Sequence, residues 1–199
     1  MDNQKENFCR MRDTITIKEM IQKFLLESPE ERFVSFLKLA LKIWEHKRKP
    51  YGIEYIFLTY LGSKIVEKIK NSAINVLISQ KIKEIGLRPD IAIIKDNEII
   101  EVVELKCIEK GNLSWVFSPT GAKNKKEKGD IAKLLKIKEK YPKSRCFELI
   151  INRGKWNSKS WGNEEYKQML KDKKIKIIIE DEKVRCTEFR IKLVEILKK

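Results

Sequence analysis

Acidic residues interrupt two of the most apolar stretches of this chain. Residues 87–106 read "LRPDIAIIKDNEIIEVVELK", with Asp90 before the first apolar run and with Glu104 and Lys106 in the second. A buried ionised carboxylate is costly unless it is paired, protonated or bound to a cation. One or two carboxylates suit Mg²⁺, which fills its other positions with waters and phosphate oxygens. A lysine beside them can stabilise developing negative charge or orient a water. The residue types therefore predict metal-assisted chemistry on a phosphate.

The pairing of the two runs decides whether these side chains meet. Side chains alternate between the faces of a strand, and directly opposed residues share a face. In a hairpin with a two-residue turn at 96–97, Asp90 and Glu104 lie on opposite faces. A three-residue loop at 96–98, or a β-bulge, puts Asp90 opposite Glu104 with Lys106 on the same face. We predict the three-residue register or a bulge.

The first fifty residues predict two helices, within 15–49. In the second, Ser28 is the expected N-cap, Pro29 the first helical residue and Glu31 the partner in a capping box. Apolar residues then recur at helical spacing and predict the buried face of this helix. They are Phe33, Phe36, Leu37, Ala40, Leu41 and Trp44.

The remaining elements predict an α/β fold. A helix is expected from Gly52, and "SAINVLIS" either extends it or forms a first strand. After the hairpin we predict a helix capped by Asp130, the strand "RCFELIIN", a helix, the strand "IKIIIED" and a terminal helix in "TEFRIKLVEILKK". Alternation of strands and helices implies parallel strands joined by right-handed crossovers. The expected architecture is a mixed β-sheet flanked by helices, a single domain in which an N-terminal helical extension (1–50) packs on a core (51–199).

Charge and cysteine usage narrow the function classes. The 199 residues contain 44 Lys and Arg against 29 Asp and Glu, a net charge of +15. Such an excess attracts polyanions, and nucleic acid is the usual one, although a compositional bias towards lysine is an alternative. Four dispersed cysteines argue against a structural zinc site and against a secreted disulfide framework. Without a long apolar run or a signal sequence, we expect a cytoplasmic protein with no membrane partner.

A family resemblance joins these features. "RPD" at 88–90, thirteen intervening residues and "ELK" at 104–106 resemble the motif of the PD-(D/E)XK nuclease superfamily, which has the restriction-endonuclease-like fold. The likeness covers roughly residues 52–180. The family core of a helix, three strands, a helix and a strand matches our element order if "SAINVLIS" is the first strand.

The resemblance implies roles for individual residues. Asp90 and Glu104 become Mg²⁺ ligands, with Mn²⁺ able to substitute, and the backbone carbonyl of Leu105 is a third ligand. Lys106 becomes the catalytic lysine. Many members add a glutamate from the first core helix, for which Glu54 is our first choice. Glu67 is the second choice, and Glu101 is interpreted as structural or solvent-facing.

The implied activity is that of a Mg²⁺-dependent DNA endonuclease of the restriction type that acts as a homodimer. A structure-specific nuclease such as a Holliday-junction resolvase, and a non-catalytic DNA-binding module, are the alternatives. Two polar segments after the proposed active strands carry basic side chains suited to phosphate contacts. The predicted DNA-binding residues are Lys123, Lys125, Lys126, Lys128, Arg153, Lys155 and Lys159.

Overall fold

The computed structural model describes residues 16–47, 52–69, 73–108, 129–153 and 164–197. Its helices are α1 (Ile17–Ile21), a π-helical turn (Gln22–Glu27), α2 (Glu31–Lys47), α3 (Ile53–Lys68), α4 (Asp130–Lys140) and α5 (Glu164–Lys171). Its strands are β1 (Ile74–Ile78), β2 (Ile91–Lys95), β3 (Glu98–Ile108), β4 (Arg145–Arg153), β5 (Ile175–Lys183) and β6 (Phe189–Ile196). Across these ranges, none of the helices has the length and apolar character needed to cross a bilayer.

The strands form one mixed six-stranded sheet, in the order β1-β2-β3-β4-β6-β5. Strands β1, β2 and β3 pair antiparallel, whereas β3 and β4 pair parallel and are separated in sequence by α4. Parallel neighbours require such a crossover, whereas antiparallel neighbours can be joined by a tight turn. The predicted α/β class, with "SAINVLIS" supplying the first strand and helices flanking a mixed sheet, is confirmed.

Helices cover both faces of the sheet. One hydrophobic cluster joins α1, α2 and α3 to the face that carries Val103, Leu105 and Phe147, and a second joins α4 and α5 to the opposite face. On the first face the Phe57 ring packs edge-on against Phe189, with centroids 5.7 Å apart. Large aromatic side chains contribute much of the buried apolar area in such a core.

Close contact between α3 and β1 depends on a glycine. A Cβ at Gly62 would lie 2.6 Å from Cδ1 of Ile78, closer than real contacts allow. The missing side chain lets the helix backbone approach the edge strand. The same helix carries Glu54 in its first turn.

The predicted C-terminal helix is wrong, because residues 189–196 form β6. This strand pairs antiparallel with β4 on one side and with β5 on the other. Ile191 and Leu193 pack into one core cluster and Val194 and Ile196 into the other. A strand buried on both faces has a nearly continuous apolar pattern that periodicity alone does not distinguish from a helix. As a result β5 lies beside β6, and not beside β4 as simple alternation of parallel strands predicts.

Several N-terminal predictions are also corrected. Helix α2 begins at Glu31, three residues after Ser28, whose N–H instead donates to the Lys23 carbonyl. The capping box of this region lies at Thr16 and Glu19, at the start of α1.

Two further details of the helical predictions differ. Phe36, expected in the buried stripe of α2, is 50% exposed, and the side chain of Trp44 lies outside the described part of the chain. Gly129, and not Asp130, occupies the N-cap position of α4. Helical spacing correctly predicted four of the five stripe positions whose side chains are described, but the position of α3 decides which edge of α2 is covered.

Candidate active site

A β-bulge sets the register of the hairpin. The turn residues Asp96 and Asn97 have φ angles of 50° and 63°, the left-handed conformation of a two-residue hairpin turn. Farther from the turn, the pairing shifts by one residue between Ile93 and Ile94. Beyond the bulge, Ile91 pairs with Val103. Continuing this register by one residue places Asp90 opposite Glu104. The bulge, which we predicted as one of two possibilities, is confirmed; the three-residue loop is not used.

Two carboxylates accept hydrogen bonds from the backbone of β3 beyond the end of its neighbour β2. Strand β3 continues to Ile108, and its backbone N–H groups on this side need other acceptors. The N–H of Leu105 donates to Oδ2 of Asp90 over 2.7 Å, and the N–H of Cys107 donates to Oε2 of Glu54 over 3.1 Å. Side chains from the hairpin and from the first turn of α3 therefore converge on the "ELK" segment.

Lys106 contacts the same glutamate. Its Nζ lies 3.7 Å from Oε2 of Glu54, and the lysine side chain is 22% exposed. Glu54 was our first choice for the helical glutamate, and the structure places it next to Lys106. Glu67, the second choice, lies in the last turn of α3 and pairs with Lys64 at 2.7 Å. The two glutamates are thirteen positions apart, about 20 Å along the helix axis.

Glu104 lies in a buried acidic cluster. The residue is only 2% exposed and pairs in register with Glu148 of the parallel strand β4. Its Oε2 lies 2.8 Å from Nζ of Lys133 on α4, and this lysine also contacts Oδ1 of Asp130 at 3.0 Å. Glu104, Glu148, Asp130 and Lys133 thus line the side of the site covered by α4.

Burial raises the pKa values of these acids. The pKa of Glu104 rises to about 8, because lost hydration and the charge of Asp90 outweigh the attraction of Lys133. Burial also raises the pKa of Asp90, against the stabilising hydrogen bond from Leu105, and raises that of Glu148 well above its ordinary value. Within the described ranges, the ammonium group of Lys133 contacts two acids of this cluster, Glu104 and Asp130. Such an arrangement occurs both in structural networks and in sites that bind a cation.

The oxygen atoms at this site suit a hard divalent cation, but few of them are side-chain ligands. Oε1 of Glu104 is buried and has no hydrogen-bond partner among the described residues. In a strand, the carbonyl and N–H of one residue point to the same edge, so the Leu105 carbonyl faces the side of Asp90. The described ranges contain no group of three or more His, Cys, Asp or Glu side chains arranged to hold a metal. A cation here would use two carboxylates and a backbone carbonyl, as Mg²⁺ allows.

A pocket of about 220 Å³ opens beside the two carboxylates that hold β3. It is lined by Glu54, Tyr55, Leu58, Ser79, Arg88 and Asp90. The exposed Arg88 donates from Nε to the carbonyl of Ser79, which fixes its position at this pocket. We did not predict a role for Arg88, although it precedes Pro89 and Asp90 in the motif itself. A guanidinium here is suited to contact a phosphate.

Sequence reasoning also missed the partners of Glu104. Lys133 and Asp130 are spaced i, i+3 on a helix, and Glu148 is the single acidic residue in "CFELII". The sequence feature that could have identified Glu148 is a single glutamate within an apolar strand. Glu101, interpreted as structural or solvent-facing, is buried and accepts the N–H of Ile17 over 2.7 Å at the start of α1.

Most predicted DNA contacts lie outside the described residues. These are Lys123, Lys125, Lys126, Lys128, Lys155 and Lys159. Arg153 ends β4 and pairs with Glu45 at 2.5 Å and with Glu188 at 3.4 Å. It links the end of α2 to the sheet, and its role in DNA binding stays a prediction.

Comparison with known proteins adds one partial match. No family model and no solved structure matches the chain. A protein of Aquifex aeolicus (strain VF5), described as uncharacterized, is 33% identical over 81 residues. The match covers 36% of this chain and 41% of that protein, so the chain matches less than half the length of this relative.

Proposed function

We propose that this protein is a Mg²⁺-dependent endonuclease that hydrolyses phosphodiester bonds in DNA. The observation that carries the proposal is the bulged register of the hairpin, which places Asp90 opposite Glu104. Lys106 lies on the same face as Glu104, and its ammonium group contacts Glu54. Two acids, a lysine and a helical glutamate therefore converge, as the resemblance to the PD-(D/E)XK nucleases implies.

Each side chain has a role that its position suits. Asp90, the unpartnered Oε1 of Glu104 and the carbonyl of Leu105 would hold Mg²⁺. A bound Mg²⁺ would polarise the scissile phosphate and lower the pKa of a coordinated water. The Lys106 ammonium orients the attacking water and stabilises negative charge on the phosphate oxygens. Glu54 holds Lys106 at the site through their ion pair.

Charge supports a polyanionic substrate. The chain carries a net charge of +15, although the proposed site itself is acidic. Basic residues elsewhere would bind the backbone of DNA, and Arg88 would contact the phosphate nearest the site. Cleavage of both strands of a duplex requires two active sites or two successive nicks. A two-fold homodimer with restriction-type specificity meets that requirement.

Cleavage of supercoiled plasmid tests the proposal. The purified protein would be incubated with Mg²⁺, Mn²⁺ or EDTA, alongside Lys106→Ala and a control, Lys176→Ala, which removes an exposed lysine from β5. We expect metal-dependent nicking or linearisation by the wild type and the control, and its loss in Lys106→Ala.

Two other results would change the conclusion. Retention of DNA without cleavage in either metal, equally by all three proteins, would contradict the nuclease and leave a DNA-binding module. Cleavage of branched DNA in preference to linear duplex would replace the restriction-type enzyme with a structure-specific nuclease. Discrete bands from linear DNA would support sequence recognition.

A further inference from the structure

We propose that Lys133 is a positioning residue that orients Glu104 for metal binding. The inference rests on the function proposed above and adds a residue of α4 to the site. Lys133 lies outside the "RPD" and "ELK" segments, and its role follows from contacts that only the folded chain creates.

The two oxygens of Glu104 have different surroundings. Oε2 is bound to Nζ of Lys133 at 2.8 Å. Oε1 is buried and lacks a hydrogen-bond partner within the described ranges. One oxygen thus fixes the orientation of the carboxylate while the other remains for a cation. Replacing a residue that hydrogen-bonds to a metal-ligating side chain typically lowers metal affinity 10- to 100-fold.

Lys133 is itself held in place. Its Nζ contacts Oδ1 of Asp130 at 3.0 Å, one helical turn earlier on α4. Ile131, Leu134 and Ile137 anchor this helix, since all three are fully buried against the sheet. The ammonium group is therefore fixed by two carboxylates and by a firmly packed helix.

Neighbouring acids make this contact necessary. Glu148, 0% exposed, lies beside Glu104 in the parallel register, and neither of its carboxylate oxygens has a hydrogen-bond partner in the described part of the chain. Asp90 and Asp130 lie near enough to act on Glu104 electrostatically. Removing one member of a buried ion pair leaves the other uncompensated. Without Lys133, Oε2 of Glu104 would lose the contact that orients it, and the carboxylate would turn away from these acids.

The two lysines of the site have separate partners. Lys106 contacts Glu54, whereas Lys133 contacts Glu104 and Asp130. The proposal therefore predicts different defects. Replacing Lys106 should impair cleavage with little change in metal affinity, whereas replacing Lys133 should weaken metal binding itself.

Calorimetric titration of Mg²⁺ into the DNA-free protein tests the inference. The proteins are the wild type, Lys133→Met, Lys133→Arg and a control, Lys136→Met, which alters an exposed lysine on the same helix. We expect the dissociation constant to rise about 10- to 100-fold in Lys133→Met. It should recover to within about threefold of wild type in Lys133→Arg and stay unchanged in the control. Thermal melting of the metal-free proteins identifies a variant that does not fold.

Asp130→Asn provides a second variant in case Lys133→Met does not fold. It removes the charge that anchors Lys133 but leaves the lysine in place, so we expect a smaller rise in the dissociation constant. Wild-type affinity in folded Lys133→Met, or in Asp130→Asn if Lys133→Met is unfolded, would overturn the inference and leave the nuclease intact. A wild type that neither binds Mg²⁺ nor cleaves DNA would overturn both proposals.

Discussion

The carboxylate of Asp90 accepts a hydrogen bond of 2.7 Å from the backbone N–H of Leu105, the residue between Glu104 and Lys106. This bond joins the residue preceding β2 to the far part of β3, beyond the last pair of the two strands. It fixes Asp90 relative to the backbone that presents Glu104 and Lys106. The relative positions of the three side chains are therefore set by main-chain structure, which favours a preorganised site.

The glutamate in the first turn of α3 is expected to matter for turnover. In Glu54→Gln, the amide oxygen can still accept the N–H of Cys107, but the negative charge that holds Lys106 is lost. We expect kcat for plasmid cleavage to fall at least about tenfold, with KM for DNA changed less than about threefold. Steady-state cleavage in Mg²⁺ measures both constants.

Glu67→Gln is the matched control for Glu54→Gln. Glu67 is on the same helix, pairs with Lys64 and lies about 20 Å from Glu54 along the helix axis. Its substitution should leave kcat within about twofold of wild type. Equal losses in the two variants would mean that a helical charge matters for stability and not for the site.

Arg88 should contribute to binding of DNA and not of metal. It lines the pocket beside Asp90 and Glu54, where its charge can meet a phosphate. In Arg88→Ala we expect DNA affinity to fall about 3- to 30-fold and the slope of log affinity against log salt to decrease by about one. Fluorescence anisotropy with duplex DNA and Ca²⁺, across a salt series, measures both quantities.

Arg32→Ala is a suitable comparison for Arg88→Ala, because it removes the same charge from an exposed position on α2. Its DNA affinity should change by less than about twofold. A similar loss in the two variants would indicate that only net charge matters. Unchanged affinity in Arg88→Ala would remove this residue from the proposed interface.

Glu101 should make the stability of the protein depend on pH. Burial raises its pKa to about 7, although the Ile17 N–H and the Arg145 guanidinium favour the charged form. Because the pKa of Glu101 is higher in the folded state than its ordinary value of 4.5, the protonated side chain contributes fully to stability at pH values below 4.5. This contribution is lost as the pH rises through about 7. One pKa unit corresponds to about 1.4 kcal/mol, so the ionisation of Glu101 should lower the free energy of unfolding by roughly 2 to 4 kcal/mol across this pH range.

Urea denaturation of wild type and Glu101→Gln at pH 5, 6, 7 and 8 measures this dependence. The amide retains an acceptor for Ile17 but does not ionise, so the variant should gain stability relative to wild type as pH rises. Glu98→Gln, an exposed position at the hairpin turn, should follow the wild type throughout. Parallel stability curves for wild type and Glu101→Gln would show that Glu101 ionises normally.

The sequence by itself determined the local elements and the main acidic residues. Two apolar runs on either side of the polar residues 95–98 predicted the hairpin, and the cost of a buried carboxylate directed attention to Asp90 and Glu104. The resemblance to the nuclease motif directed attention to Glu54, in the opening turn of α3. These features depend on neighbouring residues and on strand or helix periodicity, which a sequence displays directly.

The tertiary structure decided which distant residues meet. The bulge between Ile93 and Ile94 selected one of two registers that the turn residues left open. Residues 189–196 form a strand, and not the predicted helix, because β4 and β5 supply backbone hydrogen-bond partners on its two sides. Lys133 reached Glu104 because α4 packs across the sheet beside it. Such contacts join segments far apart in the chain, and their free energy comes from packing and pairing that local sequence patterns do not encode.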